Sequence, residues 1–277
     1  MKLQFAKMHG LGNDFVVIDH INQRFDITPE RARLLADRKR GIGCDQILLV
    51  EEPADPGVDF NYRIINADGG EVEQCGNGAR CFAVFVRRQG LTDRQSIGVL
   101  TSGARMELHI DGDDDVTVDM GVPEFEPNRI PFLADAQSNE YKIGINGGSV
   151  RIAAMALGNP HAVQLVADIE TAQVERIGPL MESHHLFPER VNAGFMQVVN
   201  RSGIKLRVYE RGAGETLACG SGACAAVVAG RQWGMLDEEV KVELRGGVLT
   251  VKWPGPGQPV SMTGTATFVY QGEIELE

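Results

Sequence analysis

The chain has 277 residues, room for two domains of about 150 residues or one large one, and its 43% apolar and 23% charged content excludes disorder over most of its length. With 27 basic and 38 acidic residues the formal charge is −11, which argues against a nucleic-acid partner and against docking on an anionic membrane, but not against an anionic substrate in a local site. Five cysteines, a start without an apolar signal core and no run of about 18 apolar residues predict a cytoplasmic protein with reduced thiols.

In chain order the texture is β-rich. Short alternating or β-branched runs predict strands over residues 15–18, 46–50, 60–65, 105–110, 116–120, 149–155, 162–166, 195–199, 205–209, 240–244 and 248–253. Gly, Asp, Asn and Pro clusters separate them as turns. Thr28 before Pro29 and Glu30 predicts a capped helix to about residue 38. Further helices are predicted after Asn77 to residue 89, over 170–180, and after Ser221 to residue 231. The acidic stretch 111–115 is expected to be a solvated hairpin turn, since nothing nearby completes a metal site, and 245–247 a second hairpin turn. The Pro-rich stretch 122–131, with Pro123, Pro127 and Pro131, is the expected linker.

Two internal matches divide the chain. Glu71-Val72-Glu73-Gln74-Cys75-Gly76-Asn77-Gly78-Ala79 resembles Glu215-Thr216-Leu217-Ala218-Cys219-Gly220-Ser221-Gly222-Ala223, and Leu11-Gly12-Asn13 matches Leu157-Gly158-Asn159 at nearly the same separation, about half the chain. Two related halves are implied. In each, the pattern Cys-Gly-X-Gly-Ala precedes an apolar helical run, which puts Cys75 and Cys219 at helix N-termini. Free N–H groups and the positive end of the helix dipole favour a thiolate there, and the N–H groups of Gly76, Asn77, Gly220 and Ser221 could cradle a carboxylate. Two such helix starts brought face to face would set one thiol on each side of one carbon. That pairing suits inversion of a stereocentre: one thiolate removes the α-proton, the other thiol protonates the opposite face, and fixed N–H groups stabilise the charge in the carboxylate.

These residues, with Met8-His9-Gly10-Leu11-Gly12-Asn13-Asp14-Phe15, Asn66-Ala67-Asp68-Gly69, Gly158-Asn159-Pro160-His161 and Tyr209-Glu210-Arg211-Gly212-Ala213-Gly214-Glu215-Thr216, resemble the motifs of the diaminopimelate epimerase family. The resemblance runs from Met8 to about Tyr270. It implies an α+β fold of two pseudo-symmetric domains, each a β-barrel-like sheet around a central helix, with the C-terminal tail returning to the first domain. The boundaries it implies are 1–119 plus 265–277 and 120–264. It implies a cofactor-independent, metal-free isomerase that interconverts LL- and meso-2,6-diaminoheptanedioate on the route to lysine and peptidoglycan, acting as a homodimer. Cys75 and Cys219 correspond to the acid/base pair, and His161 and Glu210 to groups near the thiols. Asn13, Gln46, Asn66, Gly76, Asn77, Asn159, Asn192, Glu210, Arg211, Gly220 and Ser221 correspond to substrate-binding positions, and Tyr270 to a dimer contact. Carboxamides and a fork-shaped cation suit a substrate whose distal end is a second amino acid.

Cys44, Cys81 and Cys224 read as buried packing residues, and the spacings of Cys75 to Cys81 and Cys219 to Cys224 do not suit a metal. His9 reads as a turn support; His20, His109, His184 and His185 read as surface or packing residues. Two alternatives remain open in the sequence. One is a proline racemase-like enzyme, whose small substrate would leave Arg211 without a distal carboxylate. The other is a non-catalytic thiol switch between Cys75 and Cys219.

Overall fold

The computed structural model describes residues 2–103, 105–112 and 114–276. The chain divides into two compact units, one made of residues 1–119 and 263–277, the other of Met120–Met262. The first unit contains β1 (Lys2–Gly10), β2 (Asn13–Asp19), α1 (Pro29–Ala36), β3 (Gln46–Glu51), β4 (Phe60–Asn66), β5 (Glu71–Val72), α2 (Gly76–Arg88), β6 (Ser96–Leu100), β7 (Arg105–Asp111) and β8 (Asp115–Asp119). The second contains β9 (Tyr141–Ile145), β10 (Gly148–Ala156), β11 (Pro160–Leu165), α3 (Val174–Glu182), β12 (Asn192–Asn200), β13 (Gly203–Glu210), β14 (Gly214–Glu215), α4 (Gly220–Gln232), β15 (Glu239–Leu244) and β16 (Gly247–Lys252). Strand β17 (Ser261–Thr265) crosses the boundary, and β18 (Thr267–Glu275) returns to the first unit to pair antiparallel with β1.

The burial pattern of each strand states its place. The run Phe15–Val16–Val17–Ile18 in β2 is buried throughout, as a strand covered on both faces must be. Val16 and Ile18 pack with Ala32 and Leu35 of α1, which leaves Phe15 and Val17 to the opposite face, toward α2. Strand β7, by contrast, alternates exposed and buried residues, with Met106, Leu108 and Ile110 inward and one face in water. In the second unit Ile152, Ala154 and Phe195 pack with Val174 and Met181 of α3.

A 13-residue helix runs through the core of each unit. From Asn77 to Val86 every residue of α2 is buried, and α4 is buried from Gly222 to Gly230. A helix covered on all sides must be apolar or small all round. Ala223, Ala225, Ala226 and Ala229 meet that demand in α4, and Phe82, Val84 and Phe85 in α2. Each unit is thus a sheet wrapped about a central helix.

Three details depart from the sequence reading. Residues 122–131 are not a slack connector: Glu124 bridges to Ala156, Pro127–Arg129 forms one turn of 3-10 helix, and Ile130 is wholly buried in the second unit's core. The prolines that suggested a linker instead suit that tight turn. Helix α1 stops at Ala36, because Asp37 leaves helical geometry and its N–H closes back on Arg33. Helix α3 begins at Val174, and Pro179 lies inside it. The two hairpins form as expected, with Asp111 opposite Asp115 and Leu244 opposite Gly247; Asp113 of the first lies outside the described residues.

No described helix is long and apolar enough to cross a membrane. Among the described residues no group of three or more His, Cys, Asp or Glu side chains could hold a metal ion.

Candidate active site

In the first unit the candidate residues gather at the start of α2. Cys75 is the capping residue, extended at φ −148°, and its Sγ accepts the N–H of Gly78 at 3.4 Å. A Cβ on Gly78 would fall 2.3 Å from the Tyr62 hydroxyl and 3.4 Å from Cys75 Sγ, so only glycine lets thiol and helix close up. The helix's own ladder begins with Ala79 N–H to the Cys75 carbonyl at 2.8 Å. Gly76 and Asn77 lie in the turn before it, where the dipole favours an anion.

The ends of β2, β3 and β4 supply amides. Asn13 Oδ1 lies 3.9 Å from Cys75 Sγ and accepts from Asn77 Nδ2 at 3.2 Å. Asn13 Nδ2 donates to Asp45 Oδ2 at 3.0 Å, and Arg38 holds Asp45 from the other side at 2.8 Å. Gln46 and Asn66 face each other across β3 and β4, and Gln46 Nε2 donates to Asn66 Oδ1 at 2.8 Å. The other amide atom, Gln46 Oε1, is buried with no hydrogen-bond partner among the described residues. A buried acceptor left unsatisfied costs about 1–3 kcal/mol, so an external donor is favoured there.

The second unit repeats the plan with different chemistry around it. Cys219 caps α4 at φ −115° and is 4% exposed, with Ser221 Oγ 3.8 Å from its sulfur. A Cβ on Gly222 would meet Cys219 Sγ at 3.1 Å and Val208 at 3.0 Å, the same close approach as at Gly78. Burial pushes the Cys219 thiol well above its ordinary pKa and the charge of Glu210 adds to that, while the Gly222 N–H and Ser221 pull the other way. Glu210 ends β13 and accepts from the Thr216 hydroxyl.

His161 on β11 is the register neighbour of Asn192 on β12. It is buried, with Nε2 2.8 Å from Asn159 Oδ1. Burial, then the charge of Arg211, lower its pKa to about 3, so the imidazole is neutral at neutral pH. Asn192 Oδ1 accepts the backbone N–H of Arg211 at 2.9 Å and its Nδ2 donates to the Pro160 carbonyl at 3.0 Å. The exposed Arg211 side chain reaches the Glu189 carbonyl at 3.3 Å.

The residues singled out in the sequence therefore collect in two groups. Asn13, Gln46, Asn66, Cys75, Gly76 and Asn77 lie in the first unit; Asn159, His161, Asn192, Glu210, Arg211, Cys219, Gly220 and Ser221 lie in the second. Tyr270 is outside both groups, half-exposed on β18 with its ring edge-on to Phe5 at 6.0 Å. Cys44, Cys81 and Cys224 are buried, and burial drives the Cys44 thiol up to about 12.

One residue went unread. Arg80 is wholly buried in α2, and its guanidinium donates to Asn77 Oδ1 at 3.1 Å, the Gly76 carbonyl at 3.5 Å and the Thr265 carbonyl at 3.2 Å. It braces the turn that carries Gly76 and Asn77. The available signal was an arginine inside an otherwise apolar helix.

The model of the family described as diaminopimelate epimerase matches residues 5–126 and 152–269. The chain belongs to the diaminopimelate epimerase family. Family membership makes the protein an isomerase. A diaminopimelate epimerase of Chromobacterium violaceum is 59% identical over 276 residues, covering all of both chains, and one of Thioalkalivibrio sulfidiphilus is 57% identical over 278 residues, again covering all of both. Solved structures share the fold at low identity. A hydroxyproline epimerase of Agrobacterium vitis superposes with a TM-score of 0.73 at 16% identity, covering 99% of this chain and 92% of its own. A phenazine biosynthesis protein of Bacillus anthracis gives 0.72 at 16%, covering 100% of each chain. The two-unit, sheet-around-helix architecture is thus that of the diaminopimelate epimerase family and of a wider set of folds.

Proposed function

We propose that this protein interconverts LL- and meso-2,6-diaminoheptanedioate, in lysine and peptidoglycan precursor synthesis, by proton transfer between the substrate α-carbon and two thiols, Cys75 and Cys219, without a cofactor. The observation that carries this reading is the repeated placement of a cysteine at the cap of a buried central helix, within a family of epimerases. One thiolate takes the α-proton and becomes a thiol. The electron pair left on carbon spreads into the α-carboxylate, and the other thiol gives up its proton to the opposite face and becomes a thiolate. In the reverse direction the roles exchange. The N–H groups of Gly76, Asn77, Gly220 and Ser221 bind the carboxylate on which the charge accumulates.

The raised pKa of Cys219 supports its being the proton donor in the resting enzyme. Glu210 then serves twice, keeping that thiol protonated and holding the substrate's α-ammonium, and the neutral His161 accepts from the same ammonium. For the distal amino acid, Arg211 is the fork for the carboxylate, and Asn13, Gln46, Asn66, Asn159 and Asn192 supply amides. The unsatisfied Gln46 Oε1 suits a substrate N–H donor. The two half-site domains, 1–119 with 265–277 and 120–264, each contribute one thiol. Proton transfer by thiols needs them reduced, which supports a cytoplasmic enzyme. The exposed Tyr270 and Val269 on β18 support a homodimer joined there; sedimentation should give a dimer for the wild type and a monomer for Tyr270→Asp.

Deuterium wash-in tests the reaction. Reduced protein in D2O, with no added cofactor, should move deuterium into the α-position of diaminopimelate while the stereoisomers equilibrate. Folded, reduced protein that exchanges nothing sinks the proposal, and turnover of proline but not of diaminopimelate replaces it with a racemase of small amino acids.

A further inference from the structure

We propose that each cysteine is positioned by an arginine–glutamate clasp standing at the same place in both halves: Arg63 with Glu71 for Cys75, and Arg207 with Glu215 for Cys219. Both clasps are bidentate. Arg63 Nε and Nη2 meet Glu71 Oε1 and Oε2 at 3.2 and 3.1 Å, and Arg207 Nε and Nη2 meet Glu215 Oε1 and Oε2 at 2.6 and 2.9 Å. In each half the arginine sits on the longer strand of a hairpin, β4 or β13, and the glutamate on the two-residue strand that follows, β5 or β14. In each half the chain then runs from that glutamate into the cysteine, which stands four positions on.

The geometry gives the clasp its work. A two-residue strand has too few ladder bonds to hold its own register; β5 is joined to β4 at two positions and β14 to β13 at two. Parallel N–H···O bonds between a planar guanidinium and a carboxylate add a directional tie at that point. Each arginine is fixed in turn from behind. Arg63 Nη1 donates to Glu51 Oε1 on β3 at 3.1 Å, and Arg207 Nη1 donates to the carbonyls of Ile169 and Ala172 at 3.1 and 3.2 Å. Arg245 adds a second cation to Glu215 at 3.0 Å. The tie therefore fixes where the chain leaves the sheet to reach each thiol, and a proton-transferring group loses rate steeply with small misplacement. The clasps differ in depth. The Glu215 and Arg207 side chains are 6% and 12% exposed, those of Glu71 and Arg63 39% and 35%, so solvent competes with the first clasp and not with the second.

The effect on turnover rests on the two-thiol reading above; the effect on the thiols themselves does not. The test is Glu71→Gln and Glu215→Gln in the full-length reduced protein, with kcat, KM and the iodoacetamide alkylation rate of each cysteine read by peptide mass spectrometry. Glu215→Gln should lower kcat at least tenfold with KM within threefold, and change the alkylation rate of Cys219 more than threefold while Cys75 keeps the wild-type rate. Glu71→Gln should lower kcat about threefold, with the change in alkylation confined to Cys75. Wild-type alkylation at the clasped cysteine, or equal changes at both cysteines in either variant, overturns the proposal. Should Glu215→Gln fail to fold, the half-exposed Glu71→Gln decides alone. Cys75→Ala and Cys219→Ala, assayed beside them, separate the two ideas: retained turnover there refutes the two-thiol reading whatever the clasps do.

Discussion

The two helix starts share a backbone plan and differ in the charge placed around it. Below Cys75 the helix carries a buried cation, Arg80, bonded to Gly76 and Asn77, and the Asn13 carboxamide oxygen lies 3.9 Å from the sulfur. The position matching Arg80 in the other half is Cys224, also wholly buried, and the charged side chain that acts on Cys219 is the carboxylate of Glu210. A repeated fold has thus kept the cap, the glycines and the thiol while changing the charged side chain nearby, a buried arginine in one helix and a carboxylate beside the thiol in the other half. Under the proposed mechanism the two thiols exchange acid and base roles and need not start equal. The negative setting of Cys219 holds its proton, which under the proposed mechanism gives that thiol the donor's role at rest.

The largest test of this pairing removes either sulfur. Cys75→Ala and Cys219→Ala should each lower epimerisation by 10³-fold or more, on the order of what a general acid or base contributes, with folding intact by circular dichroism. Activity within tenfold of wild type in either variant would break the equivalence of the halves. Next comes the matched pair in the helices. Arg80→Ala should cost about 3 kcal/mol in urea denaturation, since it orphans buried acceptors, whereas Cys224→Ala should cost about 1 kcal/mol. Equal costs would mean the buried cation is ordinary packing.

Between pH 6.5 and 5, above the range of the lowered first-unit carboxylates such as Asp14, acid sensitivity should belong to the second half. His161 has its folded pKa lowered from 6.5 to about 3, so below the unfolded value the unfolded chain binds the extra proton and stability falls as pH drops from about 6.5 toward 3. The loss should be about 2 kcal/mol by pH 5, and His161→Gln should flatten that part of the profile. An unchanged slope would place the sensitivity elsewhere. The smallest effects sharpen the chemistry. Arg211→Met should raise KM for diaminopimelate about tenfold, the loss of roughly one charge-assisted contact, with kcat less affected. Glu210→Gln should shift the alkylation profile of Cys219 to lower pH, because the charge that holds its proton is gone. An unmoved Cys219 profile would remove the asymmetry between the thiols.

The repeat made the cysteines, both central helices and the Leu-Gly-Asn turns legible, because each is a local pattern written twice. What escaped was non-local. Strand β1 carries Leu3 and Phe5 in alternation, but Phe5 and Ala6 are both buried, which breaks the period a strand reading relies on, and Val269 of β18 is the extra residue where the register shifts between Lys7 and Met8. Strand β18 is mostly exposed or half-buried, so it has no apolar stripe to show. Arg80 has no assigned role until Thr265, far along the chain, is seen to accept from it. The clasps need the register of two hairpins, which spacing alone does not supply. Roles carried over by family resemblance, such as those of Asn66 and Asn192, had no signature of their own in the sequence; in the structure Asn66 accepts from Gln46 and Asn192 from the Arg211 backbone N–H.

The pairing of β18 with β1 sets an order of events for a chain made from its N-terminus. The partner of Lys2 is Glu275, and the carbonyl that receives Arg80 is on Thr265. At 5–20 residues per second, some ten to fifty seconds separate the making of β1 from the making of its neighbour. The second unit is contiguous and can close first, while the first must wait with β1 paired on one edge only, to β2, and with the Arg80 guanidinium lacking its Thr265 acceptor. A stop codon a few residues early, or a bulky fusion at the C-terminus, would therefore injure the oldest part of the molecule rather than the newest.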